Sequence, residues 1–99
     1  MVISVKRIGG CSGLTQEVAR ADTAHLHNAS ALHLEKLLEK GQFFELPARI
    51  PSSVVGADFM GYEITVDTGK RRHTVAFVDD ESPETAILRQ LVQTVTEVV

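Results

Sequence analysis

The sequence predicts an α+β domain of order ββαββα: a four-stranded antiparallel sheet with two helices packed on one face. Three observations carry this. Apolar residues recur with a period of two in two pairs of segments, 1–8 with 14–21 and 59–67 with 71–79. A glycine-bearing turn joins the members of each pair. After each pair the apolar spacing becomes helical, over 29–40 and again over 83–97. Hairpin strands pair antiparallel, and an amphipathic helix must bury its apolar stripe, so both helices are expected on the same sheet face.

The first strand holds Ile3 and Val5 on one face, with Arg7 in phase, and Val2, Ser4, Lys6 and Ile8 on the other. Gly9-Gly10-Cys11-Ser12-Gly13 then marks an exposed turn. In the second strand Leu14 and Val18 share a side, while Gln16, Glu17 and Arg20 give it the polarity of an edge strand. Residues 22–27 connect it to the first helix. Asn28 is the expected N-cap of that helix, since its side-chain oxygen can accept from a free first-turn N–H. Ala31, Leu34, Leu37 and Leu38 form the helix stripe, flanked by Leu32, and Gly41 is expected to end it in a left-handed conformation.

Phe43-Phe44-x-Leu46-Pro47 follows at once and reads as an apolar plug folding back on the core. Phe44 is the expected anchor of the pair. Residues 48–57 are a loop containing Pro51 and Gly56. In the third strand Tyr62, Ile64 and Val66 point inward. Asp67-Thr68-Gly69-Lys70 is a hairpin turn with a left-handed glycine, and His73, Val75 and Phe77 share a face of the returning strand. Ser82-Pro83 opens the second helix, cap then proline at the first helical position. Ile87, Leu88, Leu91, Val92, Val95 and Val98 form its apolar face, with Arg89 among the wet residues.

The 99 residues read as one domain, 1–99. Folding a chain of this size buries roughly 65% of its unfolded surface, enough for a core without disulfides or metal. Apolar residues make up 43% and charged residues 23%, ordinary globular usage. Ten basic against 13 acidic residues, a net charge of −3, argue against nucleic acid as a partner. No apolar run approaches the length that spans a membrane, about 18 residues. The N-terminus places its charges after its apolar residues, opposite to a secretory leader. The single cysteine, Cys11, excludes an internal disulfide and any multi-cysteine zinc motif. The expected location is therefore the cytoplasm.

No residue set makes a convincing active site, so the chain is read as non-enzymatic, with no catalytic residue, metal site or cofactor. His25, His27 and His33 lie at offsets of 2 and 6, whereas a helical zinc pair needs an offset of 4. With Asp22 nearby they read as a solvated connector. His73 reads as a hydrogen-bonded, partly buried residue. A thiol enzyme built on Cys11 lacks the helix N-terminus that would lower its pKa. The glycine loop precedes a strand, so it is not a phosphate loop. Lys70-Arg71-Arg72 reads as a solvated turn, and the stacking aromatics of an RNA-binding sheet are missing. A small domain without a catalytic site works through its surface.

The ordered features are more specific together than apart: Ile3 through Arg7-x-Gly9-Gly10-x-x-Gly13, Leu34-x-x-Leu37-Leu38, Phe43-Phe44-x-Leu46-Pro47, Asp58, Tyr62-x-Ile64-x-Val66, Gly69, His73-Thr74-Val75, and Pro83 with Leu88-x-x-Leu91-Val92. This set resembles the emfourin family, small protein inhibitors of protealysin-like metalloproteases of the thermolysin clan. The resemblance covers nearly the whole chain. It implies a non-enzymatic protein whose partner is an M4-family zinc metallopeptidase carrying a His-Glu-x-x-His helix. The residues that carry it are mainly scaffold, so it transfers no inhibitory residue.

A helix-backed sheet is too broad to enter a protease cleft, so loops must make the contact. The candidates are 9–14, 22–28, 48–57 and 67–72. The first is narrow and glycine-rich and ends in an apolar residue that suits a thermolysin-like pocket. Gly9, Gly10, Cys11, Ser12, Gly13 and Leu14 are thus the candidate partner-binding loop. The alternative to inhibition is a non-catalytic adaptor domain.

Overall fold

Strand β1 (Val2–Ile8) lies at the centre of the sheet, with β2 (Thr15–Asp22) on one side and β3 (Gly61–Asp67) on the other; β4 (Arg72–Val78) extends it beyond β3. All three pairings are antiparallel and the order is β2-β1-β3-β4. Helix α1 (Asn28–Lys40) follows β2, and α2 (Ala86–Val98) follows β4. The architecture is thus the predicted ββαββα, α+β arrangement. The computed structural model describes residues 1–9, 15–50, 61–79 and 82–98. Phe59 and Met60, read as the start of the third strand, lie outside these residues.

The alternating residues Ile3 and Val5, Ile64 and Val66, and Val75 and Phe77 are buried on one sheet face. Leu34, Leu37 and Leu38 of α1 and Leu88, Leu91 and Val95 of α2 complete one apolar cluster with them, so both helices cover that face. The opposite face is polar. Ser4, Lys6, Thr65 and Thr74 stand there half-buried, and the Thr65 and Thr74 hydroxyls meet at 2.9 Å across β3 and β4. A half-solvated antiparallel sheet has this asymmetry.

β2 departs from the expected phase. Val5 faces Ala19 but Lys6 faces Glu17, so Val18 is the extra residue of a β-bulge. The buried residues are Ala19 and Ala21, and Val18 is only partly buried. The 48–57 segment also gives more than a loop at its start. Ala76 donates its N–H to Ala48 (2.8 Å) and its carbonyl accepts from Ile50 (2.9 Å), a parallel bridge along the outer edge of β4. Ile50 thereby joins the core.

Both ends of α1 differ from expectation by one residue. His27, not Asn28, is the N-cap position, because Ala31 already donates to the His27 carbonyl at 2.9 Å. At the other end Gly41 is right-handed (φ −84°, ψ −3°), and Gln42 takes the left-handed conformation (φ 50°, ψ 50°). Gly41 is needed for space instead: a Cβ there would lie 2.7 Å from Ile87 Cγ2 on α2. The shift turns the plug. Phe43–Glu45 forms a single 3-10 turn in which Phe43 is buried and Phe44 is half-buried, the reverse of the expected roles.

Pro83–Thr85 forms a 3-10 turn ahead of α2, where the Thr85 N–H donates to the Ser82 carbonyl at 3.2 Å. Arg89 is not simply wet. It reaches back to donate to the Thr85 hydroxyl (3.1 Å) and the Ser82 carbonyl (2.8 Å), tying that turn to the helix. The β3–β4 turn is as predicted, with Gly69 at φ +89°. No atom lies within 4 Å of a Cβ placed there, so the penalty of a side chain is purely conformational. Gly69→Ala should destabilise the fold by about 1–2 kcal/mol, to be read from chemical denaturation. An unchanged midpoint would show that the turn readily adopts another conformation.

Candidate functional site

Strand register sorts the four candidate loops into two groups. Ile8 faces both Thr15 and Gly61, and Gly61 faces Val78. Ile8, where β1 leads toward the 9–14 candidate, and Gly61, where the chain enters β3 after the 48–57 candidate, therefore lie at one end of the sheet. Val2 faces both Asp22 and Asp67, and Asp67 faces Arg72, so the 22–28 connector and the 67–72 turn lie at the other end. A seven-residue strand separates the ends by about 23 Å. One narrow cleft cannot receive both ends together.

Of the predicted contact loop, Gly9 is described and half-buried; Gly10, Cys11, Ser12, Gly13 and Leu14 lie outside the described residues. Beside Gly9 the sheet presents Arg7 and, across the β1–β3 ladder, Tyr62. Arg7 is exposed, although it follows the buried Ile3 and Val5 in phase. Tyr62 is half-buried with its ring 5.8 Å from that of Phe77. Arginine and tyrosine dominate interface energetics. The sequence placed both residues on the inward phase. Their position one rung from the strand end, next to Ile8 and Gly61, was the available signal of exposure.

The opposite end is internally satisfied. Asp22 accepts from Ala24 N (3.0 Å) and caps a 3-10 turn, Thr23–His25. Asp67 accepts from Gly69 N (2.8 Å), and the Thr68 hydroxyl accepts from Lys70 N (3.3 Å) and Arg71 N (3.0 Å). Lys70-Arg71-Arg72 does not act as one basic patch. The Arg71 guanidinium lies 4.2 Å over the Phe44 ring, while Arg72 stands opposite Asp67 in the sheet.

The histidines separate in the same way. His25, His27 and His33 are exposed, and His25 lies 3.8 Å from Asp22. Among the described residues, no three His, Cys, Asp or Glu side chains converge to hold a metal ion. His73 is half-buried, 2.7 Å from the Leu46 carbonyl and edge-on to Phe43. A carbonyl can only accept, so His73 Nε2 carries the proton and donates. Its role is to fasten the plug to β4.

The plug, the two-hairpin sheet and the inward residues of β3 and β4 are the features on which the sequence pattern rests. A scan against protein families matches Emfourin over residues 5–96. The chain belongs to the emfourin family. This family is one of protein inhibitors of proteases, so a protease-inhibitor domain is the coarse functional assignment. The match runs from the centre of β1 to the last turn of α2 and so spans every element of the fold. Comparisons with curated proteins and with solved structures give no match. Among the described residues, no helix is long and apolar enough to cross a membrane.

Proposed function

We propose that the protein is a non-enzymatic inhibitor of an M4-family (thermolysin- or protealysin-like) zinc metallopeptidase, competitive and reversible, that acts in the cytoplasm. Membership of the emfourin family is the observation that carries this reading. The molecule measures 23 Å by 23 Å across its long axis, too broad for a cleft, which supports contact through loops. The end bearing the 9–14 loop is the inhibitory end, because Arg7 and Tyr62 flank it there. The opposite turns have their polar groups tied up internally.

A zinc peptidase needs an open coordination position for water and the substrate carbonyl. Filling the cleft denies that position without ligating the metal. Leu14 supplies the apolar contact, and Gly10 and Gly13 permit close backbone approach. Titration of a purified thermolysin-like or protealysin-like protease, followed by peptide cleavage, tests the reading. Leu14→Asp should weaken inhibition at least about tenfold, roughly 1.4 kcal/mol, and Cys11→Ser should matter less. The reverse order would replace cleft-filling by zinc ligation through Cys11. Indifference to both would move the contact to 48–57. Binding without loss of cleavage would instead indicate an adaptor.

A further inference from the structure

The end of the molecule remote from the glycine loop carries a groove that the inhibitory reading does not use. It lies between the last turns of α1 and the 3-10 turn Phe43–Glu45, with a volume of about 420 Å³ and a mostly apolar exposed lining. Leu38, Phe43 and Phe44 form its floor, and Glu35, Glu39 and Glu45 its rim. The arrangement follows from helical spacing: Glu35, Leu38 and Glu39 recur at offsets of three and four on one face of α1. Phe44 is held there as a half-buried ring by Phe43, edge-on at 5.8 Å, and by the Arg71 guanidinium.

Carboxylates outnumber cations around this groove, where the Arg71 guanidinium over Phe44 and the Met1 ammonium beside Asp22 are the positive charges. The three rim glutamates are exposed, and neither Lys36 nor Lys40 lines the groove. Met1 also lines it, with its ammonium 4.0 Å from Asp22. The C-terminal end of α1 adds the negative partial charge of its carbonyl groups. An apolar floor under three carboxylates and a helix C-terminus complements apolar side chains flanked by cations.

We propose that this groove docks a basic, apolar segment of a partner protein, one that places a large aliphatic or aromatic side chain on Phe44 and lysines or arginines against Glu35, Glu39 and Glu45. The site is about a strand's length from the glycine-loop end and is independent of the inhibitory reading. Its test therefore does not use protease activity.

The probe is an acetylated, amidated Lys-Leu-Phe-Lys-Leu-Lys peptide added to the isotopically labelled full chain and followed by amide chemical shifts. Its partner probe carries Glu in place of each Lys. The basic peptide should shift Leu38, Gln42 and Phe44 saturably, and the acidic peptide should not. Glu39→Lys combined with Glu45→Lys should weaken binding at least about tenfold, with the remaining spectrum unchanged because both side chains are exposed. Glu35→Gln with Glu39→Gln should weaken it in the same direction, and added salt should do so too. The proposal is overturned if about 1 mM basic peptide leaves these amides unmoved, if both peptides bind alike, or if charge reversal leaves affinity unchanged. Concentration-dependent shifts of the same amides without peptide would also overturn it, by making a second copy the occupant.

Discussion

Phe43→Ala should destabilise the protein by about 3–5 kcal/mol, the usual cost of deleting a buried aromatic ring. Phe43 is only 1% exposed and touches three parts of the fold. Its ring is edge-on to Phe44, and 5.6 Å from His73 on β4 with an interplanar angle of 80°. It also borders a small apolar cavity of about 80 Å³ shared with Leu37, Leu88 and Leu91. Removing the ring would join that void to the groove beside Glu39, and the helix backbones on either side limit how far it can collapse. For a domain of this size the melting temperature should drop by at least about 12 °C. Phe44→Ala is the control. Phe44 is half-buried and trades ring contacts with Phe43 and His73 and one cation–π contact for water, so about 1–2 kcal/mol is expected. Equal losses from the two substitutions would show that the plug anchors through both rings.

The exchange of roles between Phe43 and Phe44 shows where a sequence stops being legible. Gly41 followed by an apolar pair announces that the helix ends and the chain turns back. It does not say which residue takes the left-handed conformation. The close approach of Ile87 claims Gly41 for its missing side chain, so the turn moves to Gln42 and the phase of the next residues moves with it. Ile87 is 46 residues away in sequence, and no local pattern reports it. The bulge at Val18 is a second case. Alternation placed Leu14 and Val18 on one side, but one inserted residue reverses the phase, and the buried pair Ala19 and Ala21 carries too little apolar signal to reveal it. By contrast, β3 and β4 run unbulged, and the buried residues Ile64, Val66, Val75 and Phe77 were legible from alternation.

The candidate site was legible in kind and not in arrangement. Glycines and turn residues identify loops because they permit backbone conformations that others resist. Which loops share an end of the sheet is a property of register, and register depends on β1 lying between β2 and β3. A β2–β3 neighbour relation would have suited the two hairpins equally well on paper. The central place of β1 is what sets Ile8 beside Gly61, and what pairs Arg7 with Tyr62 on the next rung. The groove beside Phe44 was hidden for a related reason: it depends on the plug folding as a 3-10 turn against α1, with Glu45 brought to the same side as Glu35 and Glu39.

Gly41→Val should destabilise the fold by about 1–3 kcal/mol, and toward the upper end, through overpacking. The glycine's backbone conformation is open to any residue, so backbone strain plays no part. Reduced freedom of the unfolded chain alone would make the substitution stabilising by about 0.4–1 kcal/mol. Packing decides the sign. A Cβ at this position would meet Ile87 Cγ2 at 2.7 Å and the Leu37 carbonyl oxygen at 3.3 Å, and valine adds two methyl groups to it. The first neighbour is a branched side chain on α2 and the second is helix backbone, so neither yields without moving α1 against α2. Ile87→Ala removes the first obstacle. A double-mutant cycle of Gly41→Val with Ile87→Ala, measured by denaturant unfolding, should therefore be non-additive by at least about 0.5 kcal/mol, the pair being less damaging than the sum of its parts. Strict additivity would show that the Leu37 carbonyl, not Ile87, is what keeps position 41 a glycine.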